Sequence, residues 1–254
     1  MGIYNCAPYL QQALDSLYAQ TYRDIKIIMC DDGSTDGSLS IAQKNADTHS
    51  NIVILRNEKN MGLNVTLNRC LEYADTEYCA RMDGDDISLP SRFEEELAFL
   101  DAHPEYAVVS TPMIYFDEGG DFRTGKGRGE VLKTDFVHGS PICHAPCMVR
   151  TDALKKMGGY AVDERLLRVE DYDLWFRMYE AGYKAYILDK PLYRMRDDRN
   201  AKVRRNWKAR RNEMYVMRLG FKRLSLPWHK RIYAWRPLVA HLAPSWLYNL
   251  YHRR

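Results

Sequence analysis

Apolar positions in the first two thirds of the chain alternate between helical spacing and short continuous runs. Ala7 to Ala19 has helical spacing, with Pro8 near the start, where a missing N–H costs nothing. Ile25 to Cys30 is a short apolar run ending in Asp31-Asp32-Gly33-Ser34, which predicts a strand feeding a turn. Ser34 or Thr35 can cap a following helix that reaches about Thr48. Asn51 to Leu55 is the next strand, and Gly62 to Ala74 the next helix, with Leu63, Leu67 and Leu71 on one face. Glu77 to Met82, a helix from Pro90 to about His103, and Tyr106 to Thr111 continue the alternation. This order predicts an α/β fold with a mostly parallel sheet flanked by helices.

From Asp117 to Pro141 the pattern dissolves into glycine, charge and short apolar pairs, which predicts a mobile loop region. Order returns at Ala145 to Arg150, followed by a helix from Thr151, the turn Gly158-Gly159-Tyr160 and a helix from about Glu170 to Ala181. Ala185 to Leu188 and Leu192 to Met195 complete the set as short strands. Only Gly2-Ile3-Tyr4 precedes the first helix, so the first strand is expected to be largely missing. A reading frame that starts inside that strand is the preferred account, since loss of a central strand exposes two sheet edges.

Charge divides the chain. Residues 1–198 hold 22 Lys and Arg against 33 Asp and Glu, a net of −11, whereas residues 199–254 hold 15 cations and the single acid Glu213. The second segment interleaves those cations with Trp207, Tyr215, Phe221, Trp228, Trp235 and Trp246. A basic, aromatic-rich helical tail suits an anionic membrane surface, and no nucleic-acid motif accompanies it. No run approaches the ~18 apolar residues of a spanning helix, and no leader peptide precedes Asn5. The six scattered cysteines suggest reduced, buried thiols, and with the missing leader they give a cytoplasmic expectation, peripheral on the inner face of the plasma membrane.

Three acidic clusters carry the candidate chemistry. Asp31-Asp32-Gly33-Ser34-Thr35-Asp36 follows a strand, where an open α/β sheet binds ligands and a carboxylate can accept from a ribose hydroxyl or a base N–H. A calcium loop is excluded there, because Gln43 stands where its bidentate Glu would be required. Asp83-Gly84-Asp85-Asp86 follows another strand; three carboxylates in four residues need a counter-charge, which a divalent cation shared with phosphate oxygens would supply. Glu170-Asp171-Tyr172-Asp173-Leu174-Trp175 opens a helix, placing an acid at a pocket rim where it can deprotonate a hydroxyl, or merely complement the helix dipole. Cys143-His144-Ala145-Pro146-Cys147 lacks the second ligand pair of a zinc site. Tyr193-Arg194-Met195-Arg196 offers two cations after a strand.

Together these motifs resemble the family-2 inverting glycosyltransferases, over roughly residues 2 to 196. The match runs through Tyr4-Asn5, Pro8-Tyr9-Leu10, Gln20-Thr21-Tyr22, the Asp31 cluster, Asn60-Met61-Gly62-Leu63 with Asn68, the Asp83 cluster, His144, Gly158-Gly159-Tyr160 and the Asp171 cluster. The resemblance implies a GT-A (Rossmann-like) fold, with residues 1–115 as the nucleotide-binding half and 116–198 as the acceptor half. It implies donor binding by Tyr4, Asn5, Asp31, Asp32, Gly62 and Asp83, and Mn2+ or Mg2+ held by Asp83 and Asp85. Asp171 is the expected base, with His144, Glu170, Trp175 and Arg196 on the acceptor side. Relatives often carry His where Arg196 stands, so a histidine contact to metal or diphosphate is not expected. The implied donor is a nucleotide-diphosphate sugar, a UDP-sugar first among them, and the acceptor a glycan or lipid-linked glycan of a bacterial surface polysaccharide. Two alternatives stand beside this: a truncated chain that binds nucleotide without transfer, and a sugar-1-phosphate nucleotidyltransferase. The second should carry a Gly-rich basic loop where Asn5-Cys6-Ala7-Pro8 lies.

Overall fold

A computed structural model of the chain describes residues 1–197 and 206–242. The amino-terminal third folds as β1 (Gly2–Ile3), α1 (Ala7–Tyr18), β2 (Ile27–Asp31), α2 (Ser38–Thr48), β3 (Ile52–Arg56) and α3 (Leu63–Glu72). Its three strands are parallel in the order β1-β2-β3. Parallel strands buried on both faces need apolar residues throughout, which the Ile27-Ile28-Met29-Cys30 run provides. α1 seats Leu10, Ala13, Leu14 and Leu17 against this sheet. The first strand is a stub: Gly2 and Ile3 pair with Cys30 and Asp31, and Cys30 N–H donates to the Met1 carbonyl.

The second helix starts later than the capping residues suggest. Gly37 takes the N-cap position, while Asp36 and Ser38 turn towards α1, where Ser38 Oγ accepts from Cys6 N–H and Asp36 from Ala7 N–H. Those residues cap the neighbouring helix, a use that local sequence cannot reveal.

β4 (Tyr78–Ala80), β5 (Ile87–Ser88), α4 (Arg92–Ala102) and β6 (Val108–Ser110) follow. The stretch expected as a loop instead contains a hairpin of β7 (Met113–Asp117) and β8 (Gly120–Thr124), then β9 (Gly129–Glu130). Its turn is built by Asp117 Oδ1 accepting from Gly119 N–H and by Gly120 at φ 102°, a conformation that favours glycine. β8 is almost wholly exposed, so it lacks the apolar alternation by which strands are recognised. β10 (Met148–Arg150), α5 (Thr151–Lys156), α6 (Glu170–Glu180), β11 (Ala185–Ile187) and β12 (Tyr193–Arg196) complete the body. These strands form one sheet ordered β4-β10-β6-β11-β9 and another ordered β5-β12-β7-β8.

Beyond the body lie α7 (Trp207–Arg223), α8 (Trp228–Arg231) and α9 (Arg236–Leu242). α7 lays Val216, Met217 and Phe221 into the core that contains Trp175 and Phe176 of α6. Gly220 lies flat on Phe176, where any Cβ would sit 2.2 Å from the ring. Asp173, almost fully buried, accepts from Arg177 and from Arg223 of α7, so the basic charge of the first tail helix answers an acid of the body. Residues 199–205 and 243–254 of the expected tail, Trp246 among them, lie outside the described residues. No described helix is long and apolar enough to cross a membrane, and all six cysteines are free.

Candidate functional site

The end of β2 supplies two buried carboxylates with different tasks. Asp31 is completely buried and accepts weakly from Ser34 N–H, with Arg56 Nε at 3.8 Å. Asp32 is engaged on both oxygens: Oδ1 takes Asn57 Nδ2 at 2.7 Å and Met61 N–H at 2.8 Å, and Oδ2 takes Gly62 N–H at 2.9 Å. It thereby holds the loop before α3 to the sheet. Gly33 lies so close to Lys59 that a Cβ would meet backbone at 2.7 Å. Across the same rim, Asn5 adopts φ 48° and accepts from Thr35 N–H, while Ser34 Oγ receives Asn5 N–H. Tyr4 beside it is about half exposed.

The acidic motif after β4 packs directly on this rim. Gly84 leaves room only for hydrogen, since a Cβ would stand 2.8 Å from Cys6 Sγ and 3.2 Å from Ile3 Cγ2. Each of the three carboxylates has its own environment. Asp83 is held by Arg81 in a two-point ion pair at 2.7 and 2.6 Å, and its N–H donates to the Tyr193 hydroxyl. Asp86 is buried and accepts from the Arg196 N–H at 2.7 Å; burial, then the charges of Asp83 and Asp85, push its carboxyl well above the usual range. Asp85 accepts no side-chain hydrogen bond among the described residues, and burial followed by the charge of Asp83 raises its carboxyl too. Part of the counter-charge the sequence demands is therefore protein: Arg81 on Asp83. Arg196 reaches Asp85 by its main-chain carbonyl and Gln12 by its side chain, stacked over Tyr9 and Phe116.

Arg81 was not singled out from the sequence, yet it links this motif to the opposite wall. Its cation acts on Asp85, Glu170, Asp171 and His144 alike. Its main-chain carbonyl is fixed by Arg92 Nη2 at 2.9 Å, and Arg92 forms a completely buried ion pair with Glu96. Arg92 and Glu96 also escaped sequence reading, because four charges in the run Arg92-Phe93-Glu94-Glu95-Glu96 resemble an ordinary solvated helix start.

The opposite wall is the start of α6. Asp171 stands in the first turn, where main-chain N–H groups favour a carboxylate, but burial and then Glu170 outweigh them and push it up to about 7. Glu170 is raised by burial as well. His144 shares a 2.8 Å hydrogen bond with the Tyr160 hydroxyl and is held neutral, its basicity lowered by burial and by Arg81. Trp175 has no exposed surface; it meets His144 edge-on at 6.0 Å between ring centres and supports that residue from the core. The two walls are joined by Asn68 of α3, which accepts from Tyr160 N–H and donates to Tyr160 C=O, and by Asn64 donating to Ala161 C=O. Gly159 permits the first contact, since a Cβ there would lie 2.4 Å from Asn68 Oδ1.

The site is thus an acidic rim at strand ends, one uncommitted carboxylate (Asp85), a cation between two walls, and a carboxyl poised near neutrality. No group of three or more His, Cys, Asp or Glu poised to enclose a metal occurs among the described residues. Asp83 and Asp85 alone could serve a hard cation only where phosphate or water oxygens complete its shell, which suits an open site.

The profile of Glycosyl transferase family 2 matches residues 1–158. EpsE of Bacillus subtilis (strain 168), itself assigned provisionally as a glycosyltransferase, is 38% identical over 256 residues, covering 100% of this chain and 92% of the relative. The amylovoran biosynthesis glycosyltransferase AmsE of Erwinia amylovora is 32% identical over 216 residues, covering 83% and 79%. Among solved structures, residues 1–349 of S. aureus TarS in complex with UDP-GlcNAc superpose with a TM-score of 0.73 at 20% identity, covering 95% of this chain and 70% of that one. The mannosyltransferase PcManGT of Pyrobaculum calidifontis, in complex with GDP-Man and Mn2+, gives 0.65 at 19% identity, covering 94% and 72%.

Proposed function

The chain belongs to glycosyl transferase family 2 and is a glycosyltransferase with a GT-A fold, and on that premise we propose that it inverts the sugar it transfers from a nucleotide-diphosphate donor. The observation that carries this reading is Asp171, a carboxyl held near neutrality and acted on by the same Arg81 cation as the uncommitted Asp85. A base with such a pKa removes a proton from an acceptor hydroxyl at working pH without being trapped as its conjugate acid. The oxygen then attacks the anomeric carbon as the bond to the diphosphate breaks, a single displacement that inverts configuration. Asp31, with Tyr4 and Asn5 on the same rim, receives the nucleoside; Asp32 holds the loop that places Gly62 there. Arg81 fixes Asp83 and keeps positive charge where phosphate oxygens gather. Asp83 and Asp85 would hold Mn2+ or Mg2+ together with those oxygens, and the cation, when bound, neutralises charge on the leaving diphosphate.

A UDP-sugar is the donor we favour, because UDP-GlcNAc lies in the TarS structure of highest likeness given above; the GDP-Man of PcManGT marks the competing class. The names of AmsE and of the B. subtilis minor teichoic acid protein GgaB point to surface polysaccharide assembly, with a glycan or lipid-linked glycan as acceptor. Residues 1–115 form the donor half and 116–198 the acceptor half in this reading. Incubation with a panel of nucleotide sugars and Mn2+ should show slow hydrolysis and thermal stabilisation for one nucleotide class. Equal response to every nucleotide, or to none, removes the donor assignment.

The basic tail adds an anionic membrane surface as partner. Trp228, Ile232, Trp235 and Val239 are all exposed, Trp228 at 84%. Their spacing places them on one side of the α8–α9 run, while Ala234 and Pro237 face inward. Lys230, Arg231 and Arg236 flank them, an arrangement suited to an interfacial helix on acidic lipid. Flotation with vesicles should require acidic lipid, and equal flotation with neutral vesicles, or none at all, discards the membrane role.

A further inference from the structure

A single stretch of chain, residues 136–143, separates the Asp171 wall from the exposed tail helices and touches both. On its inner side, Phe136 C=O accepts from the Tyr172 hydroxyl, Gly139 N–H donates to that hydroxyl, and the Cys143 thiol feels the charge of Asp171. On its outer side, His138 C=O accepts from Arg236 Nη1 at 2.8 Å, and the His138 ring meets Tyr233 edge-on at 5.7 Å between ring centres. The stretch is thin, for the Arg236 cation acts on the hydroxyl of Tyr172, the neighbour of Asp171 in sequence. Ala234 has no exposed surface and lies in the same buried cluster as Phe136, Val137 and Tyr172. The seat of α8 and α9 on the body is therefore built from the residues that back the Asp171 wall.

The outer surface there is apolar and basic. Trp228, Ile232, Trp235 and Val239 are open to solvent, and a cluster of large apolar side chains on a surface marks a contact with a partner or a membrane. Residues 206–242 carry nine Lys and Arg against the one acid Glu213, which is itself paired with Arg210 at 2.9 Å. Asp135, just ahead of the intervening stretch, is answered by Arg128 at 3.8 Å. The body has the opposite sign, with 33 acids to 22 cations over residues 1–198. An acidic lipid surface attracts the first region and repels the second, so charge selects a pose as well as an affinity.

We propose that the chain sits on acidic lipid with the Asp171 wall turned towards the bilayer and α2 turned away, a pose that serves a short, lipid-anchored glycan as acceptor. The inference rests on the transferase and membrane readings given above and adds the orientation. α2 marks the far side because its Ala42 packs with Leu10 and Met29, in a different core from the one that holds α6, α7 and Ala234. An interfacial helix sinks only ~5–10 Å into the headgroup boundary, so the groups directly above it stay within reach of the lipid surface. A sugar close to its lipid phosphate then meets Asp171 without leaving the interface. A glycan that projects far from the bilayer would carry its end past the site.

The test places a bimane-labelled cysteine on either side of the full chain, Ser140→Cys on the stretch beside Asp171 and Lys44→Cys on α2. Both positions are exposed, and the unsubstituted chain labelled in parallel supplies the signal of the native thiols. Each protein is bound to phosphatidylglycerol vesicles that carry a nitroxide quencher at the headgroup. The Ser140 label should lose at least about three times as much fluorescence as the Lys44 label, because the quencher reaches little beyond the interface. Equal losses, or a larger loss at Lys44, overturn the pose and leave the membrane and transferase readings standing. Failure of the unsubstituted chain to bind the vesicles overturns the membrane reading and this inference with it. Should the Ser140→Cys chain not fold, Leu132→Cys, exposed just ahead of the same stretch, takes its place with the same expected ratio.

Discussion

Asp171→Asn should keep the fold and the affinity for nucleotide while sugar transfer falls by about 10³-fold, within the ~10²–10⁴ that a positioned base contributes. Asn fills the same volume and can still cap the first turn of α6, but it cannot accept the proton. Donor binding is proposed for the other wall, so calorimetry with the nucleoside diphosphate should be unchanged. The same residue sets the pH profile. Its carboxyl, raised to about 7 by burial and by Glu170, is protonated below that value and cannot act as a base. Transfer should therefore fall about tenfold per unit as pH drops below about 6 and level off above about 8. Arg81 opposes the shift and Glu170 promotes it, so Glu170→Gln should move the acid limb to lower pH. Near-normal turnover in the Asn variant, or an unchanged acid limb after Glu170→Gln, would exclude Asp171 as the base.

Asp85→Ala should weaken metal-dependent binding of nucleoside diphosphate by about 100-fold or more, on the scale of several kcal/mol that a cation supplies to phosphate charge. Its carboxylate has no side-chain hydrogen bond to lose, so the stability penalty should be small. Asp83→Ala is the less clean experiment, because it also strands the cation of Arg81, whose side chain is 8% exposed. Titration by calorimetry with and without Mn2+ separates the two contributions. Unaltered binding in the presence of Mn2+ removes Asp85 from the metal site.

Much of this was legible from residue order. The apolar runs located β2, β3, β4 and β6 to within a few residues, and the acids following two of those runs lie on one rim, joined through Gly84. What the sequence could not distinguish was how each carboxylate is used. Asp31 and Asp32 are adjacent and chemically identical, yet Asp32 is consumed by three N–H donors from residues 57, 61 and 62, contacts separated from it by 25 to 30 positions. Asp83 and Asp85 differ because Arg81 is two residues from one and points at it. The family resemblance implied an acceptor-side place for Trp175, but helical geometry turns its side chain into the core. The hairpin of β7 and β8 was hidden for a different reason: an exposed strand is defined by its partner and its turn, and its composition is that of a loop.

The grip of α7 on α6 has a consequence for the making of the protein. α1 to α3 and β1 to β3 are contiguous within residues 2–72, so this layer can begin to fold while most of the chain is still being translated. α6 has no such independence. Phe176 and Asp173, on the helix that carries Asp171, are covered by Gly220 and Arg223, some fifty residues later. The wall that carries Asp171 must therefore wait, its aromatic face open to other nascent chains, until the tail helix has left the ribosome.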